Sequence, residues 1–318
     1  MYLSELTLDD LLYKILEELL KGPFDLKTSR GMTSEITGVL LKLENPLARL
    51  SKTETKGTIF SGLGELLWYL SKNNKLDFIS HYLSKYNDES EDGHTVYGGY
   101  GPRLFNFRGK INQFENIINL LKSRPSTRRA VIQIFDAEDI VNHHKEIPCT
   151  CTLQFCIRNN KLHMITTMRS NDAFYGLPHD VFAFTMIQEI IARTLDLELG
   201  IYNHAIGSLH LYEKDEEHAT QYLNEGFQST REVMPKMPVG DPWQNIESIL
   251  EAEKIIRVTG KIDIQKMNLS SYWADLTRLL LIHTLIKRNN CNDIQCLQSD
   301  MICPVYKPYI KKRLLTIR

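Results

Sequence analysis

Three segments crowded with β-branched and aromatic residues, "RAVIQIFD", "CTLQFCIR" and "LHMITTMRS", follow one another between residues 129 and 170. Such residues fit a pleated, half-buried surface, so this stretch predicts strands at the centre of the molecule. "RNNK" at 158–161 separates the last two and reads as a hairpin turn, which makes them antiparallel neighbours. Immediately downstream, residues 178–195 show a helical pattern, opened by Pro178 and Asp180 and apolar nearly all round, which requires deep burial.

Around this centre, Leu8, Leu11, Leu12, Ile15, Leu16, Leu19 and Leu20 recur at helical spacing and predict an amphipathic helix over 7–21. Residues 33–42 read as a strand, and "GLGELLWYLSK" at 62–72 reads as a buried helix carrying one carboxylate, Glu65. Residues 86–110, with "YGGYGPR" in their middle, have the composition of a long functional loop. "INQFENIINLLKSR" predicts a helix that stops at Pro125, and "SSYWADLTRLLLIHTLIKRN" another, followed by an irregular, basic end. No repeat or Ser/Pro linker interrupts the chain, so a single domain over 1–318 is expected.

A net charge of −1 gives no global electrostatic case for nucleic acid and leaves a local basic pocket for a small anion. No apolar run approaches the ~20 residues that a bilayer requires. The acidic amphipathic N-terminus is unlike a signal peptide, so a cytoplasmic protein without a membrane partner is expected. The six cysteines (Cys149, Cys151, Cys156, Cys291, Cys296 and Cys303) form two clusters without a regular framework and are expected to be reduced.

"EIPCTCTLQF" at 146–155, beside His143 and His144, has three readings: a metal clamp, a pair of core thiols, or a nucleophile with a neighbour. A zinc site built on Cys149, Cys151, His143 and His144 lacks a second ligand pair at structural-site spacing, so no metal is expected. Cys151 and Cys156 read as core.

"RPSTRR" (124–129), "PCT" (148–150), "RSNDAFYGLPHD" (169–180) and "GSLHLY" (207–212) occur in this order, with "GELLWYL" and "INQ" upstream. Together they resemble the thymidylate synthase superfamily, strongly over 60–215, with residues 216–318 divergent. The resemblance implies an α+β fold whose central mixed sheet, flanked by helices, forms a homodimer interface. It also implies transfer of a one-carbon unit from 5,10-methylenetetrahydrofolate, as co-substrate, to C5 of a pyrimidine nucleoside 5′-monophosphate.

Residue by residue, the resemblance makes Cys149 the nucleophile that adds to C6, because pyrimidine C5 is a poor nucleophile until such an adduct forms. Nearby arginines such as Arg169 are expected to lower its pKa. Arg169, Ser170 and Arg30 match phosphate-binding positions, and Arg128 and Arg129 match the pair donated across the dimer by the partner chain; guanidinium forks suit phosphate oxygens. His210 and Tyr212 match the residues that hold the sugar 3′-hydroxyl, and on a strand two residues apart share a face. Glu65 matches the glutamate that organises proton transfer around the base. Asp172 and Gly176 match positions facing the pterin, with Asp172 also on the substrate side and Tyr175 beside them.

Asp180 departs from the synthases, which carry asparagine here and so read uracil. A carboxylate suits cytosine, accepting from the N4 amine and from N3 once that nitrogen is protonated. Aspartate at this position, "CT" after the nucleophile and "GSLH" resemble the deoxycytidylate hydroxymethylases, which points to hydroxymethylation of dCMP or CMP. Asp180 also reads as an N-cap for a helix from Val181, a role compatible with base reading. The alternatives are a thymidylate synthase acting on dUMP and a nucleotide-binding protein without turnover.

Overall fold

The structure, a computed structural model, describes residues 1–55 and 58–315. The chain begins with a short strand, β1 (Tyr2–Glu5), and the predicted amphipathic helix, α1 (Leu8–Lys21). Thr7 caps that helix by accepting from the Asp10 backbone N–H at 3.1 Å. A hairpin of β2 (Leu26–Thr28) and β3 (Gly31–Leu43) follows, then α2 (Ile59–Leu70), in which every residue but Ser61 is buried.

The stretch expected to be one long loop contains two short helices, α4 (Tyr86–Glu89) and α5 (Tyr100–Phe105), after α3 (Leu76–Tyr82). Helix α6 (Gln113–Ser123) ends ahead of Pro125 as expected. The strand expected over 129–136 is only β4 (Val131–Gln133), whereas β5 (Thr150–Arg158) and β6 (Lys161–Asp172) form the predicted hairpin. Asn159 and Asn160 make its turn with φ of 50° and 58°, a left-handed conformation that asparagine tolerates.

Helix α7 (Gly176–Thr194) and the strand β7 (Glu198–Tyr212) complete the centre. The seven-stranded sheet runs β1-β3-β7-β6-β5-β4, with β2 paired to β3. It is mixed: β6 and β7 are parallel, β5 and β6 antiparallel. Helix α7 buries Phe184, Ile187 and Ile191 completely, and Gln188 donates to the Leu162 carbonyl at 2.8 Å to tie the helix to the sheet.

The remaining helices are α8 (Glu216–Asn224), α9 (Trp243–Thr259), α10 (Ser271–Lys287), α11 (Cys291–Ser299) and α12 (Lys307–Leu315). The tail is therefore helical through Leu315, not irregular. Asp275 of α10 fixes its turn by accepting from the Ile302 and Cys303 N–H groups at 3.1 and 2.7 Å. The α12 side chains Tyr309 and Ile310 are buried, and the Tyr309 hydroxyl donates to the Ser51 carbonyl. One apolar core runs from Leu8 to Ile310. No helix among the described residues is long and apolar enough to cross a membrane.

Candidate active site

A cavity of about 450 Å³ opens where β6 and β7 end and α7 begins. It is lined by Arg30, Glu65, Cys149, Arg169, Ser170, Asp172, Gly176, Asp180, His210 and Tyr212, ten of the twelve site residues named from the sequence. Arg128 and Arg129 are the exceptions; both are exposed outside it.

Cys149 sits between Pro148 and the start of β5, and Arg169 is wrapped around it. The Arg169 guanidinium donates to the Pro148 and Ile147 carbonyls at 3.0 and 3.3 Å and to Cys149 Sγ at 3.6 Å. Burial nevertheless pushes the Cys149 thiol up to about 11, with Arg169 the strongest opposing influence and the Asp180 and Glu146 carboxyls adding to the rise. This corrects the expectation of a depressed thiol: Arg169 pulls as expected, but desolvation outweighs it.

Cys151 is half-exposed rather than core, because the pairing shifts register between Thr150 and Thr152 and breaks the simple alternation. Cys156 is likewise half-buried. His144 stacks on Tyr97 with ring centroids 3.6 Å apart and its Nδ1 lies 3.2 Å from Glu91, which takes it into other contacts. No group of three or more His, Cys, Asp or Glu side chains among the described residues could hold a metal ion.

At the inner end of the cavity stand Glu65 and Asp180. Tyr86 donates to Glu65 Oε1 at 2.9 Å, and burial first, then the Glu65 charge, hold the Tyr86 phenol well above its usual range, so it remains a donor. Burial and the neighbouring Glu65 also hold the Asp180 carboxyl well above the usual carboxylate range; Lys85 and a hydrogen bond to Asn171 oppose them. Asp180 lies inside α7, whose N-cap is Tyr175, so the capping role considered for it is overturned.

Beneath it, Asn171 lies 3.3 Å from His204, and Tyr202 meets the other ring nitrogen of His204 at 2.9 Å. Burial keeps that histidine down at about 3 and hence neutral.

At the outer end, Ser170 and His210 approach at 3.5 Å across the parallel pair, and the His210 and Tyr212 rings pack edge to face at 5.0 Å. Arg30, on the β2–β3 turn, gives its guanidinium to Glu89 at 2.6 Å and has to exchange that partner to meet a phosphate. On the side of the α7 N-terminus, Asp172 Oδ1 accepts from the Phe174 and Tyr175 N–H groups at 2.8 and 3.3 Å. A Cβ at Gly176 would lie 2.8 Å from Asn171 Oδ1, so a larger residue there would displace the Asn171 side chain. Tyr175 stands exposed at the mouth.

Sequence reasoning missed Glu146, Tyr86, Asn171 and Glu35, which also line the cavity. Glu146 was visible as a carboxylate three residues ahead of Cys149; Glu35 is marked only by its cross-strand register with His210.

The thymidylate synthase family model matches residues 10–259. The thymidylate synthase of Francisella philomiragia is 27% identical over 212 residues, 62% of this chain and 77% of that enzyme. The deoxyuridylate hydroxymethyltransferase of Pseudomonas phage M6 is 32% identical over 162 residues, 49% of this chain and 45% of its own. That of Bacillus phage SP01 is 31% identical over 205 residues, 60% of this chain and 54% of its own, so the chain spans about half the length of these two phage enzymes. Among solved structures, the thermostable thymidylate synthase A of Bacillus subtilis shares the fold with a TM-score of 0.59 and 24% identity, over 70% of this chain and 85% of that one. The chain belongs to the thymidylate synthase family, one-carbon transferases that use methylenetetrahydrofolate as co-substrate.

Proposed function

We propose that this protein hydroxymethylates C5 of a cytidine 5′-monophosphate, dCMP or CMP. The observation that carries the reading is the enclosed carboxyl of Asp180 at the inner end of the cavity, where the family resemblance puts the base. Burial favours its protonated form, which offers an O–H to cytosine N3 and a carbonyl oxygen to the N4 amine. A protonated carboxyl can also donate to O4 of uracil, so discrimination between the bases rests on which of its oxygens carries the proton.

In this reading Cys149 attacks C6, Arg169 steadies the thiolate it becomes, and Glu65 with Tyr86 manages protons at the base. Arg169, Ser170 and Arg30 take the phosphate, while His210 and Tyr212 take the sugar hydroxyl. The folate supplies the one-carbon unit, and Gly176, Asp172 and Tyr175, which line the cavity together, take its ring. We further propose a homodimer in which Arg128 and Arg129 reach the partner's phosphate; exposed Leu40 and Val131 on strands β3 and β4 support a sheet-mediated interface.

The relatives' names favour a second reading, action on a uridylate. Tritium release from C5 of dCMP, CMP and dUMP in the presence of methylenetetrahydrofolate, with identification of the products, tests the choice. Reaction of dUMP alone contradicts the role given to Asp180.

A further inference from the structure

Glu146 lies three residues ahead of Cys149 and lines the same cavity, yet no hydrogen bond holds it there: its Oε2 is buried without a partner. The chain makes room for it at Gly98, in the "YGGYGPR" segment, where a Cβ would fall 2.0 Å from that oxygen. It shares the cavity wall with Cys149, Tyr86, Glu65 and Tyr100, and its charge raises the pKa values of Cys149, Tyr86 and Tyr100. In the function proposed above, C6 of the base lies at Cys149 and its N3 edge at Asp180, so C5 and its new substituent face the cavity wall that Glu146 helps to line. A buried carboxylate without a partner is costly, and a site that keeps one beside the reacting atoms has a use for its lone pair.

We infer that Glu146 is the general base that activates the water consumed in hydroxymethylation, an inference that rests on the function proposed above. Once the one-carbon unit stands as an exocyclic methylene on C5, with Cys149 still bonded to C6, the water oxygen bonds to the methylene carbon. The methylene π electrons shift into the ring, and the water proton passes to Glu146. Expulsion of the Cys149 thiolate from C6 then restores the ring double bond. No electrons enter or leave the reactants, so no oxidant or reductant is needed.

Burial, joined by the Glu89 charge, lifts Glu146 to about 7, against the pull of Arg103, Arg30 and Arg169. A base that titrates near neutrality takes the proton and returns it with comparable ease.

The test uses the reverse step, which needs no folate. Incubated with a 5-hydroxymethylcytidylate in ¹⁸O-water, the wild-type protein should exchange the hydroxymethyl oxygen. Glu146→Gln should slow that exchange, and hydroxymethyl formation in the complete reaction, by ~10²-fold or more. Exchange of C5 tritium with tetrahydrofolate, which carries no methylene and so never reaches the water step, reports only the Cys149 adduct and should fall far less than oxygen exchange does. Gly98→Ala, which pushes the carboxylate off its seat, should move the same two quantities in the same direction. A Glu146→Gln protein that exchanges oxygen at the wild-type rate overturns the inference while leaving the proposed function intact. A methyl product from the wild type overturns both.

Discussion

Asp180 and Cys149 show how far a residue's chemistry is set by its surroundings. Both are ionisable groups in one enclosed cavity, and burial drives both toward their neutral forms. For Asp180 the neutral acid is a usable hydrogen-bonding partner for the base; for Cys149 the neutral thiol is a resting state that Arg169 is placed to tip. Replacing Asp180 by asparagine removes the O–H and substitutes an amide that reads uracil. Asp180→Asn should therefore shift relative turnover efficiency from cytosine toward uracil by roughly tenfold to a hundredfold, the worth of ~1–3 kcal/mol for one reversed donor–acceptor pair in a dry site. Steady-state turnover of dCMP and dUMP by the folded variant checks this, and an unchanged ratio would strip Asp180 of its base-reading role.

At the level of elements, α3 and α10 meet through two half-buried imidazoles. His283 donates to the His81 carbonyl at 3.0 Å, and His81 Nε2 meets Thr284 Oγ1 at 2.9 Å. Burial lowers His81 to about 3 and His283 to about 4. In the unfolded chain both regain a value near 6.5, so the unfolded state binds more protons below that pH and stability falls as pH drops from about 6.5 toward 4. Glu146, raised to about 7, acts in the opposite sense, because the folded state binds its proton first. His283→Gln should accordingly lose less stability than wild type between pH 7 and 4, measured as the shift in urea midpoint. An equal loss would assign the acid response to other groups.

The hairpin and α7 were legible in the sequence because an Asn-Asn turn and an all-round apolar helix are local signals. The tail was not: "KPYIKKRLL" carries little apolar pattern, and its helix is held by Tyr309 and Ile310 docking into a distant core. Nor was the start of α7, where Gly176, not Pro178, is the first helical residue. In the cavity, the resemblance located side chains whose roles are carried by motif. Glu146 and Tyr86 acquire theirs only from tertiary neighbours, Gly98 and Glu65 respectively.

On the scale of the whole molecule, Arg30 and Arg169 line the cavity from its own chain, while Arg128 and Arg129 remain exposed outside it. If the partner chain receives that pair, a mixture of Arg129→Ala and Cys149→Ala proteins, each nearly inactive, should recover activity after subunit exchange by forming one intact site per heterodimer. No recovery after confirmed exchange would mean that each site is built within one chain. The claim on which the rest depends is that this fold, with Asp180 at the base and Cys149 at C6, hydroxymethylates a cytidylate. Its most direct test presents C5-tritiated dCMP, CMP and dUMP together with methylenetetrahydrofolate and follows both tritium release and product mass. Tritium leaving a cytidylate, with a product heavier by one CH₂O, is the predicted result; tritium leaving only dUMP, with a product heavier by one CH₂, would contradict it.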